Sequence, residues 1–169
     1  MTPTVPLAAE AARFADQLDR SLHGSAWHGP ALAEALAGLT AAEADFQPFA
    51  DAHTIRELVF HVDFWIQETL RRIEAPPDDR PDPENDWPTG EVAKGRREAT
   101  WKAALAQLEE SHRRLHATVL ALDAAGFDRR VAGSDPTLRG MLLGLLQHNA
   151  YHAGQIVLLA RAARSSLPS

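Results

Sequence analysis

Near its carboxyl end the chain reads GLLQHNAYHAGQI over residues 144–156. Two histidines stand four positions apart in this stretch, so on a helix their side chains lie one turn apart on the same face. The stretch belongs to a longer apolar pattern with helical spacing, which consists of Leu138, Met141, Leu145, His148, His152, Ile156 and Leu159. The pattern predicts a helix over about 136–163, with Asp135 as its cap and Pro136 as its first residue, that directs both imidazoles into the interior.

Three other stretches repeat apolar residues with the same spacing, at about 7–22, 55–73 and 91–123. The second of them begins with Thr54-Ile-Arg-Glu57, whose hydroxyl and carboxylate have the spacing of a capping box. Gly126 follows the third stretch and is predicted to be its C-terminal cap. Shorter helical segments are predicted at 30–38 and 40–43.

Residues 75–90 separate the second long helix from the third. They hold several aspartates and five prolines, Pro76, Pro77, Pro81, Pro83 and Pro88, and this composition predicts an extended surface crossover. A connection of this length allows the second and third helices to lie parallel. The sequence therefore predicts an all-α protein, a four-helix bundle formed by a single domain over residues 1–169.

Composition excludes several kinds of function. The 169 residues include no cysteine, so disulfides, thiolate metal sites and a cysteine nucleophile are absent. The formal net charge of −6 disfavours nucleic acid as a partner. No apolar run is long enough to span a bilayer, and no leader peptide is recognisable, which predicts a cytoplasmic protein without a membrane partner.

His61 on the second long helix is a candidate third partner for His148 and His152. It lies beside Val62 and one turn after Leu58, at the border of the buried stripe, so it can face the same interior. Three neutral histidines clustered in a core are costly unless their ring nitrogens are bound, and a metal ion would bind them. The alternative is that each histidine is an ordinary hydrogen-bonded core residue.

A second histidine pair, His112 and His116, has the same spacing on the third helix. Arg113 and Arg114 lie between the two, and His116 falls at the edge of the apolar stripe, so we interpret this pair as one partly buried and one surface histidine. The remaining histidines, His23, His28 and His53, lie in or beside predicted loops, where surface roles are the default.

Two longer motifs carry a family resemblance. ELVFHVDFW over residues 57–65 and the quoted stretch over residues 144–156 resemble the DinB/YfiT-like family of metalloenzymes, and segments around residues 27–30, 38–44 and 52–55 look similar to it as well. The resemblance implies an up-down-down-up four-helix bundle with its metal held by His61, His148 and His152. Some members of that family transfer low-molecular-weight thiols such as bacillithiol or mycothiol, or use a thiol to isomerise maleylpyruvate.

Three protein ligands leave coordination positions open, as catalytic metal sites require. We expect one divalent ion, with zinc and nickel as first candidates and iron, copper or manganese as alternatives. The sequence HNAYH lacks the glutamate of the HExxH motif, so the general base is unidentified. Three residues are candidates to orient the histidines, namely Tyr151, Gln155 and Glu57. A packing role would explain Tyr151 and Gln155 equally well. For Glu57, its place in the capping box is a sufficient explanation.

The sequence therefore predicts a metal-dependent enzyme that acts on a small molecule, as a thiol S-transferase or a hydrolase. The alternative prediction is a non-catalytic, metal-binding stress-response protein. Gly140 and Gly144 lie one turn apart and flatten one helix face, so we also expect a homodimer, although packing within one chain explains these glycines equally well.

Overall fold

The apolar stripes of the sequence form helices wherever the structure, a computed structural model, describes the chain. It describes residues 7–74, 86–87, 99–131 and 137–167, and no strand occurs within these ranges. In chain order the helices are α1 (Leu7–His23), α2 (Leu32–Leu36), α3 (Ala41–Ala44), α4 (Ile55–Glu74), α5 (Trp101–Leu120), α6 (Ala124–Asp128) and α7 (Leu138–Ser166). The all-α prediction is thus confirmed.

The four long helices surround one apolar core. Helix α4 packs against α5 and α7, and α1 packs against the same two helices, so α1 and α4 occupy opposite corners of the bundle. The short helices α2 and α3 lie against α7. The crossover falls almost wholly outside the described residues, and the up-down-down-up order, the single domain and the homodimer stay predictions.

Local side-chain bonds determine where several helices begin. Thr40 and Glu43 form a complete capping box at α3. Glu57 accepts a hydrogen bond from the Thr54 amide at 2.9 Å and its own amide donates to the Thr54 hydroxyl, so the box predicted at α4 is confirmed. These bonds satisfy amides that have no partner within the helix.

Helix α5 is shorter than predicted. Residues 91–98 of the predicted range 91–123 lie outside the described residues, but the hydroxyl of Thr100 accepts from the Ala103 amide and begins a helix at Trp101. The helix ends at Leu120, because Asp123 caps the next one.

The sequence predicted that Gly126 is the C-terminal cap of α5. This prediction is wrong, because Gly126 lies inside α6. Its amide donates to the Asp123 carboxylate at 2.8 Å. The same short helix places Phe127 in the core, where its ring stacks on Phe14 with centroids 5.2 Å apart. This apolar anchor explains why the chain turns here instead of continuing α5.

The buried line of α7 differs from the predicted line at three of its seven positions, each by one residue. The buried residues are Leu138, Leu142, Leu145, Asn149, His152, Ala153, Ile156, Ala160 and Ala163. Met141, His148 and Leu159 are only partly buried, because Asn149 takes the central position and donates to the Ser21 hydroxyl of α1 at 3.3 Å. His148 and His152 consequently lie on the side of α7 that faces α4.

None of the helices in the described ranges is both long and apolar enough to cross a membrane.

Helix α7 begins at Thr137, whose hydroxyl accepts from the Gly140 amide at 3.2 Å, whereas the predicted cap at Asp135 lies outside the described residues. We expect Thr137→Ala to lower the free energy of unfolding by about 1 kcal/mol, because one amide of the first turn loses its partner. Urea denaturation followed by circular dichroism measures this change. The control Thr118→Ala, within α5, should cost nothing, and equal stability of the two variants would contradict the assigned cap.

Candidate metal centre

Helices α4 and α7 bring His61, His148 and His152 together in the bundle. The Nε2 atom of His148 lies 2.8 Å from Nε2 of His61 and 3.1 Å from Nε2 of His152. The three potential ligand atoms all lie within 4.8 Å of one another. His61 and His152 are buried, and His148 is half-buried. His61 and His148 are 87 positions apart in sequence, yet both direct Nε2 at the same small volume.

The other ring nitrogens of two of these histidines have oxygen partners. Nδ1 of His61 lies 2.6 Å from a carboxylate oxygen of Asp86, and Nδ1 of His152 lies 2.6 Å from the side-chain oxygen of Gln155. Since the Gln155 oxygen accepts a hydrogen bond and the Asp86 carboxylate attracts a proton, we assign the proton of each ring, when neutral, to Nδ1. In this tautomer the Nε2 atoms of His61 and His152 carry the lone pairs, and both atoms contact Nε2 of His148.

A cation fits this arrangement better than a proton does. One N–H of His148 cannot donate well to two lone pairs at once, whereas a metal ion accepts from all three nitrogens. A tetrahedral ion with bonds of about 2.0–2.1 Å needs nitrogens about 3.3 Å apart, a few tenths of an ångström beyond the two distances from His148 Nε2 to the other Nε2 atoms. Small side-chain movements would therefore accommodate an ion.

The electrostatics of the cluster favour neutral rings, which are the form that binds metal. Burial, reinforced by the adjacent His152 and His61, lowers the pKa of His148 to about 4. Burial likewise lowers the pKa of His152. At neutral pH both imidazoles keep the lone pairs that a divalent ion requires.

Asp86 is a residue of the candidate site that the sequence reasoning missed. The same carboxylate oxygen that contacts His61 accepts a hydrogen bond from the indole nitrogen of Trp65 at 2.9 Å. A carboxylate behind a metal-binding histidine fixes the ring's tautomer and orientation and raises its basicity. Asp86 lies in the proline-rich segment that was predicted to be a surface crossover, where no periodic pattern signals a contact with the interior.

Trp87 and His53 also form part of the site without having been predicted there. The indole of Trp87 lies between two imidazoles, with ring centroids 3.7 Å from His53 and 4.0 Å from His61, and both pairs are nearly parallel. His53 was interpreted as a surface loop histidine. It is exposed, but its flat contact with Trp87 makes it the outer ring of a three-ring stack on His61.

The three residues predicted to orient the histidines differ in what they contact. Gln155 contacts His152 directly, and its amide nitrogen donates to the Tyr151 hydroxyl at 3.1 Å. Glu57 has the capping role described above and reaches only His53, at 3.5 Å. Its contact with the cluster is therefore indirect, through His53 and Trp87.

The competing pair lies elsewhere in the bundle. His112 is fully buried, not partly buried as predicted, because its Nε2 donates to the Leu18 carbonyl at 2.9 Å and its ring meets the edge of His23. His116 is half-buried, and the two rings have centroids 6.5 Å apart. His112 of α5 is thus a packing and hydrogen-bonding residue at the contact with α1.

Two cavities open beside the histidine cluster. The larger, about 660 Å³, reaches His61 and His152 and is bounded by residues of α4, α7 and the segment before α4. The smaller, about 490 Å³, reaches His148 and lies between Trp65, Arg72 and the first half of α7. Both volumes are within the usual range of small-molecule sites.

Comparison with known proteins gives one match. A family model described as the DinB superfamily matches residues 26–156, a range that contains all three clustered histidines. No curated protein and no solved structure matches the chain.

We expect Asp86→Asn to weaken zinc binding by about 10–100-fold, because a neutral amide orients His61 less firmly and lowers its basicity. Competition with a chromophoric chelator measures the affinity. Asp51→Asn, which removes an exposed carboxylate of the larger cavity, is the matched control and should change the affinity by less than about twofold. Equal affinities of the two variants would show that Asp86 does not support the histidine.

Burial lowers the pKa of His112 below its usual 6.5. As the pH falls below 6.5, His112 takes up a proton in the unfolded chain but not in the folded protein. The free energy of unfolding therefore decreases until the pH reaches the lowered pKa of the folded state. We expect the free energy of unfolding to fall less steeply between pH 7 and pH 5 in His112→Gln than in the unaltered protein. Urea titrations at several pH values measure both slopes, and identical slopes would refute the assignment.

Proposed function

The chain belongs to the DinB superfamily, and from this membership and the histidine cluster we propose that it is a metal-dependent enzyme acting on a small molecule, with one divalent ion held by His61, His148 and His152. The observation that carries the proposal is the convergence of three Nε2 atoms. For two of these atoms, the contacts of Asp86 and Gln155 with the opposite ring nitrogens favour the tautomer that leaves the lone pair on Nε2.

A three-nitrogen donor set suits zinc or nickel first, and iron, copper or manganese as alternatives. When bound, such an ion supplies a Lewis acid that lowers the pKa of a coordinated water or thiol and so generates a nucleophile near neutral pH. This chemistry suits a chain without cysteine, because the nucleophile comes from outside the protein. We therefore propose either thiol S-transfer or hydrolysis as the reaction class.

The protein's own groups have distinct tasks in this proposal. Asp86 and Gln155 hold two of the ligand rings in one tautomer. Tyr151 and His53 line the larger cavity and carry exchangeable protons, so we propose them as the groups through which protons enter or leave the site. Trp87 covers one face of His61 and limits access of water to that ligand.

The metal content of the protein is the first test. We expect near-stoichiometric metal, measured by elemental analysis, in protein purified without a histidine tag or added metal. His61→Ala, His148→Ala and His152→Ala should each lose it, because two nitrogens bind an ion far more weakly than three. His116→Ala removes a histidine of the other pair and should retain the metal. Metal retained in all three cluster variants would refute the site.

Turnover separates the enzyme from its alternative. The metal-loaded protein should convert at least one substrate in a panel of thiol acceptors and hydrolysable esters and amides, and His148→Ala should not. Tight metal binding with no reaction across the panel would instead support the non-catalytic, metal-binding stress-response protein.

A further inference from the structure

The exposed apolar side chains of the protein are concentrated at the larger cavity. Among the described residues, the large hydrophobic side chains that remain exposed are Trp27, Phe49, Trp87, Leu120, Leu143, Tyr151 and Leu158. Four of these seven line the cavity that reaches His61 and His152, namely Phe49, Trp87, Tyr151 and Leu158. Exposed apolar residues scattered singly need no explanation, but a cluster of them around a concave site indicates a ligand surface.

The cavity has an apolar interior with the two histidines among its lining residues. Leu58, Ala52 and Leu159 complete its apolar lining, and His61 and His152 present buried rings to it. A ligand whose donor atom reaches the histidine cluster would therefore lay the rest of its structure against aromatic and aliphatic side chains. Phe49 and Tyr151 are aromatic residues of the lining that lie outside the stack of Trp87 with His53 and His61, so their rings favour contact with a planar group.

The charges around this cavity disfavour an anionic ligand. Asp51 is the charged residue among the described lining residues, and no lysine or arginine is among them. Asp86, bound to His61, adds a second carboxylate near the cluster. The next basic residue along α7, Arg161, lies one turn beyond Leu158 and does not line the cavity.

The second cavity offers no comparable site. It reaches only His148 of the three histidines, and its arginine, Arg72, is already committed. Arg72 is buried and pairs with the buried carboxylate of Glu68 at 2.7 Å, so it does not present a free positive charge to a ligand. The observations therefore place ligand recognition on the side of His61 and His152.

We propose that the ligand of this site carries a neutral or cationic, aromatic or similarly apolar group, which occupies the larger cavity while its metal-binding atom reaches the histidine cluster. This inference rests on the proposed function and specifies its substrate class. It disfavours substrates whose part outside the metal-binding atom carries a carboxylate or phosphate, because the described lining of the cavity includes no lysine or arginine to pair with such a group.

Three thiols that share one zinc-binding atom test the proposal. Benzyl mercaptan carries a neutral ring, 4-(mercaptomethyl)benzoate carries the same ring with a negative charge, and 2-mercaptoethanol has no ring. Their affinities for the zinc-loaded full chain are measured by isothermal titration calorimetry. We expect benzyl mercaptan to bind about tenfold more tightly than 2-mercaptoethanol and at least about threefold more tightly than the benzoate.

A matched pair of variants locates the binding surface. Leu158 and Leu143 are both exposed leucines of α7, but Leu158 lines the larger cavity and Leu143 the smaller one. Leu158→Lys should lower the affinity for benzyl mercaptan and raise the affinity for the benzoate, each by about threefold or more, because it replaces an apolar contact with a positive charge. Leu143→Lys should leave both affinities unchanged.

The outcomes separate this inference from the proposed function. Zinc-loaded protein that binds the three thiols equally, or prefers the benzoate, overturns the inference while the metal site stands. Effects of Leu143→Lys in place of Leu158→Lys also overturn it, because they would move recognition to the other cavity. A chain that binds no zinc overturns the proposed function and the inference together.

Discussion

The contact between Asp86 and His61 is the interaction on which the candidate site depends most. Three imidazoles that share one interior volume need partners for their ring nitrogens, and the contact of His61 Nδ1 with the carboxylate directs Nε2 towards the other two rings. Gln155 does the same for His152 from within α7. Asp86 differs because it reaches His61 from the connection between two helices and also holds the indole of Trp65.

The helical positions of the three histidines could be predicted from the sequence, because in a helix the spacing between two residues determines whether their side chains lie on the same face. His148 and His152 are four residues apart, and His61 borders a regular apolar stripe, so each lies on a known face of its helix. The capping boxes were predictable for the same reason, since they depend on residues three positions apart. These features require only local geometry.

The contacts made by Asp86, Trp87 and His53 could not be predicted, because segments without periodicity carry no information about direction. The exact helix ends were also uncertain where several residues could act as caps, as Thr137 and Asp135 both could. The difference between the predicted and the observed buried positions of α7 has a tertiary cause, since Asn149 donates a hydrogen bond to Ser21 of α1. Likewise, no local pattern shows that the ion pair of Arg72 with Glu68 is buried.

The position of Asp86 and Trp87 has a thermodynamic consequence. These neighbouring residues contact the His61 ring from its Nδ1 side and from its face, so in the proposed metal site their docking and the binding of an ion at Nε2 would be linked equilibria. Linkage is reciprocal: if docking raises the affinity for the ion by some factor, the ion stabilises docking by the same factor. Substitutions at positions 86 and 87 would thereby change the ion affinity of a proposed site whose three histidines all lie on α4 and α7.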